Sequence, residues 1–508
     1  MVKYRGGALL PGLTVDRHSA TPLVVQLTYA LREAILTGRI AAGSRLPSSR
    51  TLAADLGLSR TTTVAVYDQL TAEGLIESRV GAGAFVSQQV NVVAAANADE
   101  PDEAEERKPA RLARVATRAA EQFLPRLPHP PDYRAFITGM PALEAFPVNL
   151  WARLTARCWR GARAHTLGYP EPAGLMALRR AVANHLRLNR GIYCEPSDIF
   201  IVNGAQDAFN RIGNILLDPG DEVWFENPGA IGARNGLLAA GARLVPVPID
   251  GEGISVAEGL ALAPDFRLAF VTPSHQHPTG VTMSLARRFE LLQAAEQADA
   301  WIIEDDYDGE FYYSGRPPPT LKSIDKTGRV IYVGTFSKSL FPALRLGFVV
   351  APPSLVEAFD RFARATQQGA ASNQQAVVAS FIDEGHFATH IRRMGKLYAE
   401  RQECLLELSR RYLEGILDVQ RAESGIQTIG RLPGHVDDQA VSDAAAIKGI
   451  VAAPVRRFCL TPVAERGLLL GYSSCNPREI RQGIEILAGI LEPMARGGVA
   501  AMALAAVD

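Results

Sequence analysis

From about Asp132 onward, short apolar runs alternate with helix-length amphipathic segments, and few folds accept that alternation. The runs are Ile199-Phe200-Ile201-Val202, Glu222-Val223-Trp224-Phe225, Leu268-Ala269-Phe270-Val271, Trp301-Ile302-Ile303-Glu304 and Val330-Ile331-Tyr332-Val333. They are β-rich and apolar almost without a break, so neither face of such a strand suits water. Strands of this kind, separated by helices, predict a mostly parallel sheet covered on both faces. No internal repeat of fixed period is present.

The 508 residues leave room for two to four domains with a large core. Formal charge is 53 − 54 = −1, so any attraction to nucleic acid has to come from a local patch. The five cysteines (Cys158, Cys194, Cys404, Cys459, Cys475) show no CxxC spacing. That argues against a zinc site or a disulfide framework and predicts a reducing, cytoplasmic setting with no metal. No apolar leader and no run of about 18 apolar residues is seen, so no membrane segment is expected. The alanine-rich tail from Gly497 to Asp508 is expected to fray.

Composition separates three zones. Residues 1–88 are mildly basic, with 9 Lys and Arg against 6 Asp and Glu. Residues 89–130 read as a linker, with an acidic run from Asp99 to Glu106, a possible short helix over Arg111–Phe123, and Pro125, Pro128 and Pro130 at the end. Residues 131–508 carry the α/β pattern.

Within the first zone, Leu52 to Leu56 reads as a short helix, Gly57 as a turn and Ser59 as the N-cap of a second helix over Arg60–Glu73. Helical spacing places Val64, Tyr67 and Leu70 on its buried face, and Gly74 ends it. Two short strands, Leu75–Arg79 and Phe85–Val86, then flank Gly81-Ala82-Gly83 as a hairpin wing. A helix-turn-helix of this form puts the first turn of its second helix, here Arg60, Thr61 and Thr62, into a major groove.

The third zone has a second constellation. Lys338 follows the apolar strand Val330–Val333 in the run Thr335-Phe336-Ser337-Lys338, with Arg345 seven residues on. Thr335 and Ser337 offer hydroxyls to phosphate oxygens, and Arg345 offers a planar fork that binds phosphate at two points. Asp305 stands at the end of the strand Trp301–Ile303, where a carboxylate keeps a pyridine nitrogen protonated. Tyr307 can donate to a ring hydroxyl. Gly204-Ala205-Gln206 opens a helix whose free N–H groups suit the same phosphate. A lysine poised to form a Schiff base, a phosphate cradle and a ring carboxylate are together what pyridoxal 5'-phosphate requires.

Both constellations resemble known families. Arg45-Leu46-Pro47-Ser48-Ser49-Arg50, Leu52-Ala53, Leu56-Gly57, Ser59-Arg60-Thr61, Glu73-Gly74 and Arg79-Val80-Gly81-Ala82-Gly83 resemble the winged helix-turn-helix of GntR-type bacterial regulators. That resemblance implies DNA contacts from Arg50, Ser59, Arg60, Thr61 and Thr62, with Gly81 at the wing tip. Asp305-Asp306-Tyr307-Asp308-Gly309-Glu310-Phe311, Gly334-Thr335-Phe336-Ser337-Lys338 and Leu344-Arg345-Leu346-Gly347 resemble the aminotransferase-like domain of fold-type I pyridoxal-phosphate enzymes. They look specifically like the form fused to a GntR module, the MocR/GabR group of regulators. The implied architecture is a winged helix-turn-helix (α+β) joined by a linker to an α/β aminotransferase-like domain. The resemblance further implies a head-to-tail homodimer in which Tyr169 reaches the neighbour's phosphate. Double-stranded operator DNA and a small amine or amino-acid effector are the implied partners.

Three positions depart from that group. Ala230 stands where an aromatic residue usually stacks on the ring. His277 stands where an aromatic residue or asparagine is common. Leu468-Leu469-Leu470-Gly471-Tyr472 lacks the arginine that clamps a substrate carboxylate, with Arg456 and Arg457 as the nearest candidates to replace it. The expected function is a DNA-binding transcriptional regulator that senses an amine, or pyridoxal phosphate itself, through Lys338. The alternative is an active aminotransferase with an appended DNA module. Neither the effector nor the operator is legible.

Overall fold

The computed structural model describes residues 13–79, 82–90, 111–125, 135–161, 167–313, 317–366 and 369–505. The chain divides into two compact units, residues 1–111 and 112–508.

The first unit packs α1 (Leu23–Leu36), α2 (Ser49–Asp55) and α3 (Arg60–Ala72) against a hairpin of β1 (Ile76–Arg79) and β2 (Gly83–Val86). Leu27, Leu31 and Ile35 from α1 meet Val66 and Leu70 from α3, and Ile76 and Val86 close the core. Where spacing predicts Val64 among the buried residues, α3 instead buries Thr63, Val66, Tyr67 and Leu70. The stripe shifts because α3 packs on α2 as well as α1. The Thr63 hydroxyl donates to the Ser49 carbonyl (2.8 Å) and the Tyr67 hydroxyl to the Pro47 carbonyl (2.7 Å). Gly57 makes the turn between α2 and α3 at φ 63°, a left-handed conformation that glycine adopts without steric cost.

The second unit is built on an eight-stranded sheet in the order β3-β10-β9-β8-β7-β4-β5-β6. The strands are β3 (Ile199–Val202), β4 (Glu222–Asn227), β5 (Arg243–Asp250), β6 (Gly253–Ile254), β7 (Leu268–Val271), β8 (Trp301–Asp306), β9 (Val330–Thr335) and β10 (Gly347–Val350). Strands β5, β4, β7, β8 and β9 run parallel, while β10 is antiparallel to both β9 and β3. Alternate side chains feed opposite cores, as a two-residue period requires. Val223 and Phe225 join one cluster and Trp224 another; Ile303 and Ile302 divide the same way.

A smaller antiparallel sheet, ordered β11-β12-β14-β13, holds β11 (Asp418–Val419), β12 (Gln427–Arg431), β13 (Ala453–Pro454) and β14 (Gly467–Gly471). The helix α4 (Arg114–Gln122), inside the stretch expected to be linker, belongs to this unit and packs on the helix Ile231–Ala239. The alanine-rich tail, expected to fray, continues the helix Pro477–Ala505. Among the described residues, no helix is long and apolar enough to cross a membrane.

Tyr67→Phe keeps the ring of α3 but deprives the buried Pro47 carbonyl of its donor. It is expected to lower the stability of the first unit by about 1 kcal/mol, read as an earlier first transition in denaturant-dependent circular dichroism.

Candidate functional site

Strand register aligns the chemistry along one edge of the large sheet. Asp306 pairs with Gly334, Thr335 with Gly347, and Gly347 with Val202, so β8, β9 and β3 end beside one another. The turns beyond these ends carry Tyr307, Ser337, Lys338 and Gly204. Ligands of open α/β sheets bind at such carboxyl ends. Here a cavity of ≈ 430 Å³ is lined by Ala205, Gln206, His277, Asp305, Tyr307, Thr335, Ser337, Lys338 and Arg345, together with Gly139, Ala230, Gln427, Arg457 and Phe458. Most of the residues singled out for the cofactor therefore converge. Tyr169 does not line the cavity of its own chain and is 83% exposed.

At one end a helix start and an arginine come together. Gly204 caps the helix Ala205–Leu216 at φ 92°, and a Cβ there would stand 3.5 Å from the Arg345 guanidinium. That distance is ordinary van der Waals contact, so the glycine is called for by its backbone conformation. Arg345 donates to the Asn203 carbonyl (3.0 Å), which holds it across the helix start. The Thr335 hydroxyl accepts from the Ser337 amide (3.2 Å) and shapes the turn before Lys338. Lys338 Nζ donates to the Gly139 carbonyl (2.6 Å).

At the other end stands a bare carboxylate. Asp305 is buried, and its Oδ1 has no hydrogen-bond partner among the described residues. Burial first, then the neighbouring Asp306, Asp308 and Glu226, push its pKa well above the ordinary carboxylate range, while Lys338 pulls the other way. Tyr307 bonds to His275 Nδ1 (3.1 Å), and that same nitrogen lies 3.0 Å from Asp308 Oδ2. The sequence reading gives His275 no role; its link to Tyr307 spans 32 positions, and only the fold brings them together. Burial, with smaller contributions from His275 and Lys338, lowers the His277 pKa to about 3, so its ring is neutral at physiological pH. The His277 ring packs edge-on against Tyr307 and Phe458, with centroids at 5.7 and 5.0 Å, and its Nδ1 is buried without a partner among the described residues.

Glu226 fastens the loop that carries His277. It accepts from the Thr272 hydroxyl (2.7 Å), the Thr272 amide (3.2 Å) and the Gln276 side chain (3.1 Å), and burial raises its pKa to about 7. Ala230 lines the cavity beside Ile231. Leu469 is fully buried with Ala453 and Phe458, so its position adds apolar packing and no charge. Of the two arginines named as candidates for the missing clamp, Arg456 is committed to Asp437 (3.1 Å) and Asp438 (2.5 Å). Arg457 lines the cavity and has a buried Nε without a partner among the described residues.

In the first unit, Arg50, Ser59, Arg60 and Thr61 are exposed at or near the start of α3, with Thr62 half-buried. The Ser59 hydroxyl caps α3, accepting from the Thr62 amide (3.1 Å) and lying 2.8 Å from the Thr62 hydroxyl. Gly81 lies outside the described residues.

A winged helix-turn-helix preceding an aminotransferase-type fold, with a lysine, an arginine at a helix start and a buried carboxylate around one cavity, defines a DNA-binding protein with an aminotransferase-like domain. Residues 23–86 match the model of bacterial regulatory proteins of the gntR family, and residues 140–487 match aminotransferase class I and II. Over 94% of its length the chain is 42% identical to the probable rhizopine catabolism regulatory protein MocR of Rhizobium meliloti, covering 95% of that protein. It is 34% identical to the HTH-type transcriptional regulator TauR of Rhodobacter capsulatus, over 92% of this chain and 96% of TauR. Among solved structures, the α-aminoadipate aminotransferase LysN of Thermus thermophilus superposes with a TM-score of 0.68 at 26% identity, over 76% of this chain and 98% of LysN. The chain belongs to the MocR-type family of transcriptional regulators, in which a GntR helix-turn-helix domain precedes an aminotransferase-like domain. The aminotransferase fold family depends on pyridoxal phosphate.

His277 makes stability pH-dependent with a definite sign. Its pKa is lowered on folding, so below about 6.5 the unfolded chain binds a proton that the folded one refuses. Its contribution is complete above that pH and declines as pH falls toward about 3. His277→Asn is expected to lose less stability than the wild type between neutral pH and pH about 5, read from urea midpoints; equal losses would show that the ring titrates normally.

Proposed function

We propose that this regulator holds pyridoxal 5'-phosphate in the second unit and reads a small amine or amino acid through it. The observation that carries this reading is the buried Asp305 carboxylate with an unpartnered oxygen, sharing one cavity with Lys338. A bare buried carboxylate is unfavourable by several kcal/mol in general terms and calls for a cationic partner. The protonated ring nitrogen of pyridoxal phosphate is such a partner. Arg345, the helix start at Gly204–Gln206, and the Thr335 and Ser337 hydroxyls would hold its phosphate. Lys338 would be its covalent anchor, and Tyr307 and His277 would face its ring substituents. When bound, the cofactor supplies an aldehyde carbon that primary amines can attack.

Lys338 would anchor the cofactor and, where an amine takes its place, would be the group that takes up a proton at Nζ. A difference of about 1–3 kcal/mol between ligand affinities of two domain arrangements gives a roughly 5–150-fold change in operator binding. Residues 1–88 would read the operator and residues 131–508 the effector. The chain would act as a homodimer, to which the exposed Tyr169 contributes across the subunit boundary. The apolar Leu469 position disfavours efficient turnover of α-amino acids, which sets the aminotransferase reading second.

Purified protein mixed with pyridoxal phosphate is expected to show a visible absorption band that Lys338→Ala abolishes. A band of equal strength in both proteins would refute covalent anchoring at Lys338. On the DNA side, Arg60→Ala is expected to weaken binding to an operator selected from random sequence by roughly 10- to 100-fold; unchanged affinity would remove Arg60 from the reading surface.

A further inference from the structure

His275 and Asp308 lie behind the cavity and touch its lining at one atom. His275 is in the loop after β7, and Asp308 is two residues past the end of β8. Both are buried, and their side chains meet at 3.0 Å, Nδ1 to Oδ2. The same Nδ1 lies 3.1 Å from the Tyr307 hydroxyl, and the two rings stack at 24°. The smaller sheet closes over the pair. Gly425, two residues before β12, has φ 85°, and a Cβ there would collide with His275 Nδ1 and Asp308 Oδ2. The Gly425 amide donates to the Phe311 carbonyl (2.8 Å) and its carbonyl accepts from the Tyr472 hydroxyl (3.1 Å), so the cover is fastened on both sides.

One nitrogen between two oxygens fixes where the protons stand. An ionised carboxylate only accepts hydrogen bonds, so Asp308 calls for the His275 tautomer with its proton on Nδ1. Nε2 is buried without a partner among the described residues, a poor place for the N–H of the other tautomer. With its proton on Nδ1, His275 presents a donor to the Tyr307 oxygen and cannot accept from it. Gln427, in β12, acts on the same hydroxyl: its Oε1 accepts from the Gly139 amide (3.1 Å), and its hydrogen bonding eases the ionisation of Tyr307, as a donating Nε2 does. Tyr307 nevertheless keeps its proton, because burial first, and then Asp308, Asp305 and Glu226, raise its pKa well above the ordinary phenol value. With N–H donors on two sides, the hydroxyl hydrogen is left to the cavity that Tyr307 lines.

We propose that His275, held in this tautomer by Asp308, is a positioning residue that turns the Tyr307 hydroxyl hydrogen toward the ring oxygen of a pyridoxal-type ligand. The inference rests on the pyridoxal-phosphate reading of the cavity. A bare Nδ1 would itself accept that hydrogen and draw it away from the ligand. A hydrogen donated to the ring oxygen holds negative charge there. That charge otherwise helps Nζ of Lys338, the anchoring atom, to keep its proton, so Nζ loses its proton at a lower pH when Tyr307 donates. The charged and titratable groups around the Tyr307 hydroxyl are His275 and His277 from the loop after β7, Asp305, Asp306 and Asp308 around the end of β8, Glu226 from β4 and Lys338 from the turn after β9.

The test uses the full chain loaded with pyridoxal phosphate and follows its visible band as a function of pH. Wild type is compared with Tyr307→Phe, His275→Phe, His275→Gln and His275→Asn, and each His275 variant is also combined with Tyr307→Phe. Tyr307→Phe is expected to raise the pH midpoint of the band by about one to two units. His275→Phe keeps a flat ring without a donor, and His275→Gln places its N–H beyond the position of Nδ1. Both are expected to raise the midpoint by about half a unit or more. His275→Asn restores a donor where Nδ1 stands while removing the ring and any charge on it, and its midpoint is expected to fall within about 0.2 units of the wild type. On the Tyr307→Phe background the His275 substitutions should shift the midpoint no further, since they act through that hydroxyl. Should His275→Phe not fold, His275→Gln and His275→Asn carry the comparison. Lost thermal stability with an unmoved midpoint would mark a purely structural role and overturn the proposal. So would a shift in His275→Asn as large as that in His275→Gln, or shifts that persist undiminished without the Tyr307 hydroxyl. A wild type without a visible band would overturn the pyridoxal-phosphate reading and the proposal together, whereas a normal band whose midpoint ignores His275 would overturn the proposal alone.

Discussion

Two consecutive acids at the end of β8 determine how the rest of the site has to be arranged. Successive strand residues face opposite sides of a sheet, so Asp305 and Asp306 cannot share partners. Asp306 faces a buried arginine: Arg190 Nη2 lies 2.5 Å from its Oδ2, and the Tyr332 hydroxyl donates to the same atom at 2.5 Å. The pair is almost wholly removed from water and holds Arg190 charged. Asp305 receives no comparable partner, and Asp306, Asp308 and Glu226 all raise its proton affinity. One carboxylate is neutralised by the protein and the other is kept in reserve. Each acid leaves one oxygen, Oδ1, buried without a partner among the described residues, so what sets Asp305 apart is the missing cation, and a buried charge without one is costly. Asp305 makes physical sense as the counter-charge for something that enters the cavity.

The remaining parts of the site follow from where the strands stop. β9 ends level with β8, so the turn after Thr335 brings Lys338 to the same edge as Asp305. β10 runs back between β9 and β3, and its first residue, Gly347, sits against both Thr335 and Val202. Arg345, just before Gly347, therefore reaches across to the helix that opens after Gly204. The helix start with Arg345, the lysine and the carboxylate are thus placed by strand pairing, which backbone hydrogen bonding sets and side-chain detail hardly alters.

What was legible in the sequence and what was not divide along the same physical line. The apolar strands, the capped helices at Ser59 and Gly204, and the residues at strand ends were legible because each depends on neighbours a few positions away. Ser59 caps α3 as its spacing predicts, and Asp305 and Lys338 stand at the ends of their predicted strands. The antiparallel β10 was not read, because Gly347–Val350 is a short apolar run with nothing local to mark its direction. The second sheet was missed for the same reason. The hydrogen bond from Tyr307 to His275 and the docking of α4 join residues 32 and more than 100 positions apart, and no periodicity reports such contacts. The shift of the buried stripe in α3 from Val64 to Val66 has a related cause: a helix wedged between two others buries a wider arc than a single-sided pattern predicts.

The departures from the enzyme pattern acquire a common meaning once they are placed in space. Ala230, Phe458 and Leu469 lie together on one wall of the cavity or directly behind it, and Ile231 packs against the last two. An enzyme that must turn over α-amino acids needs a fixed cation on that wall, since its ligand's carboxylate has to be held through every step. Here Ala230 and Leu469 make that wall apolar, while Arg457 beside them donates to the Pro125 carbonyl on the far side. A ligand shifts an equilibrium only by interacting differently with its two states, so a wall that faces the cavity on one side and holds the end of the α4 segment on the other is where such a difference has to be sought.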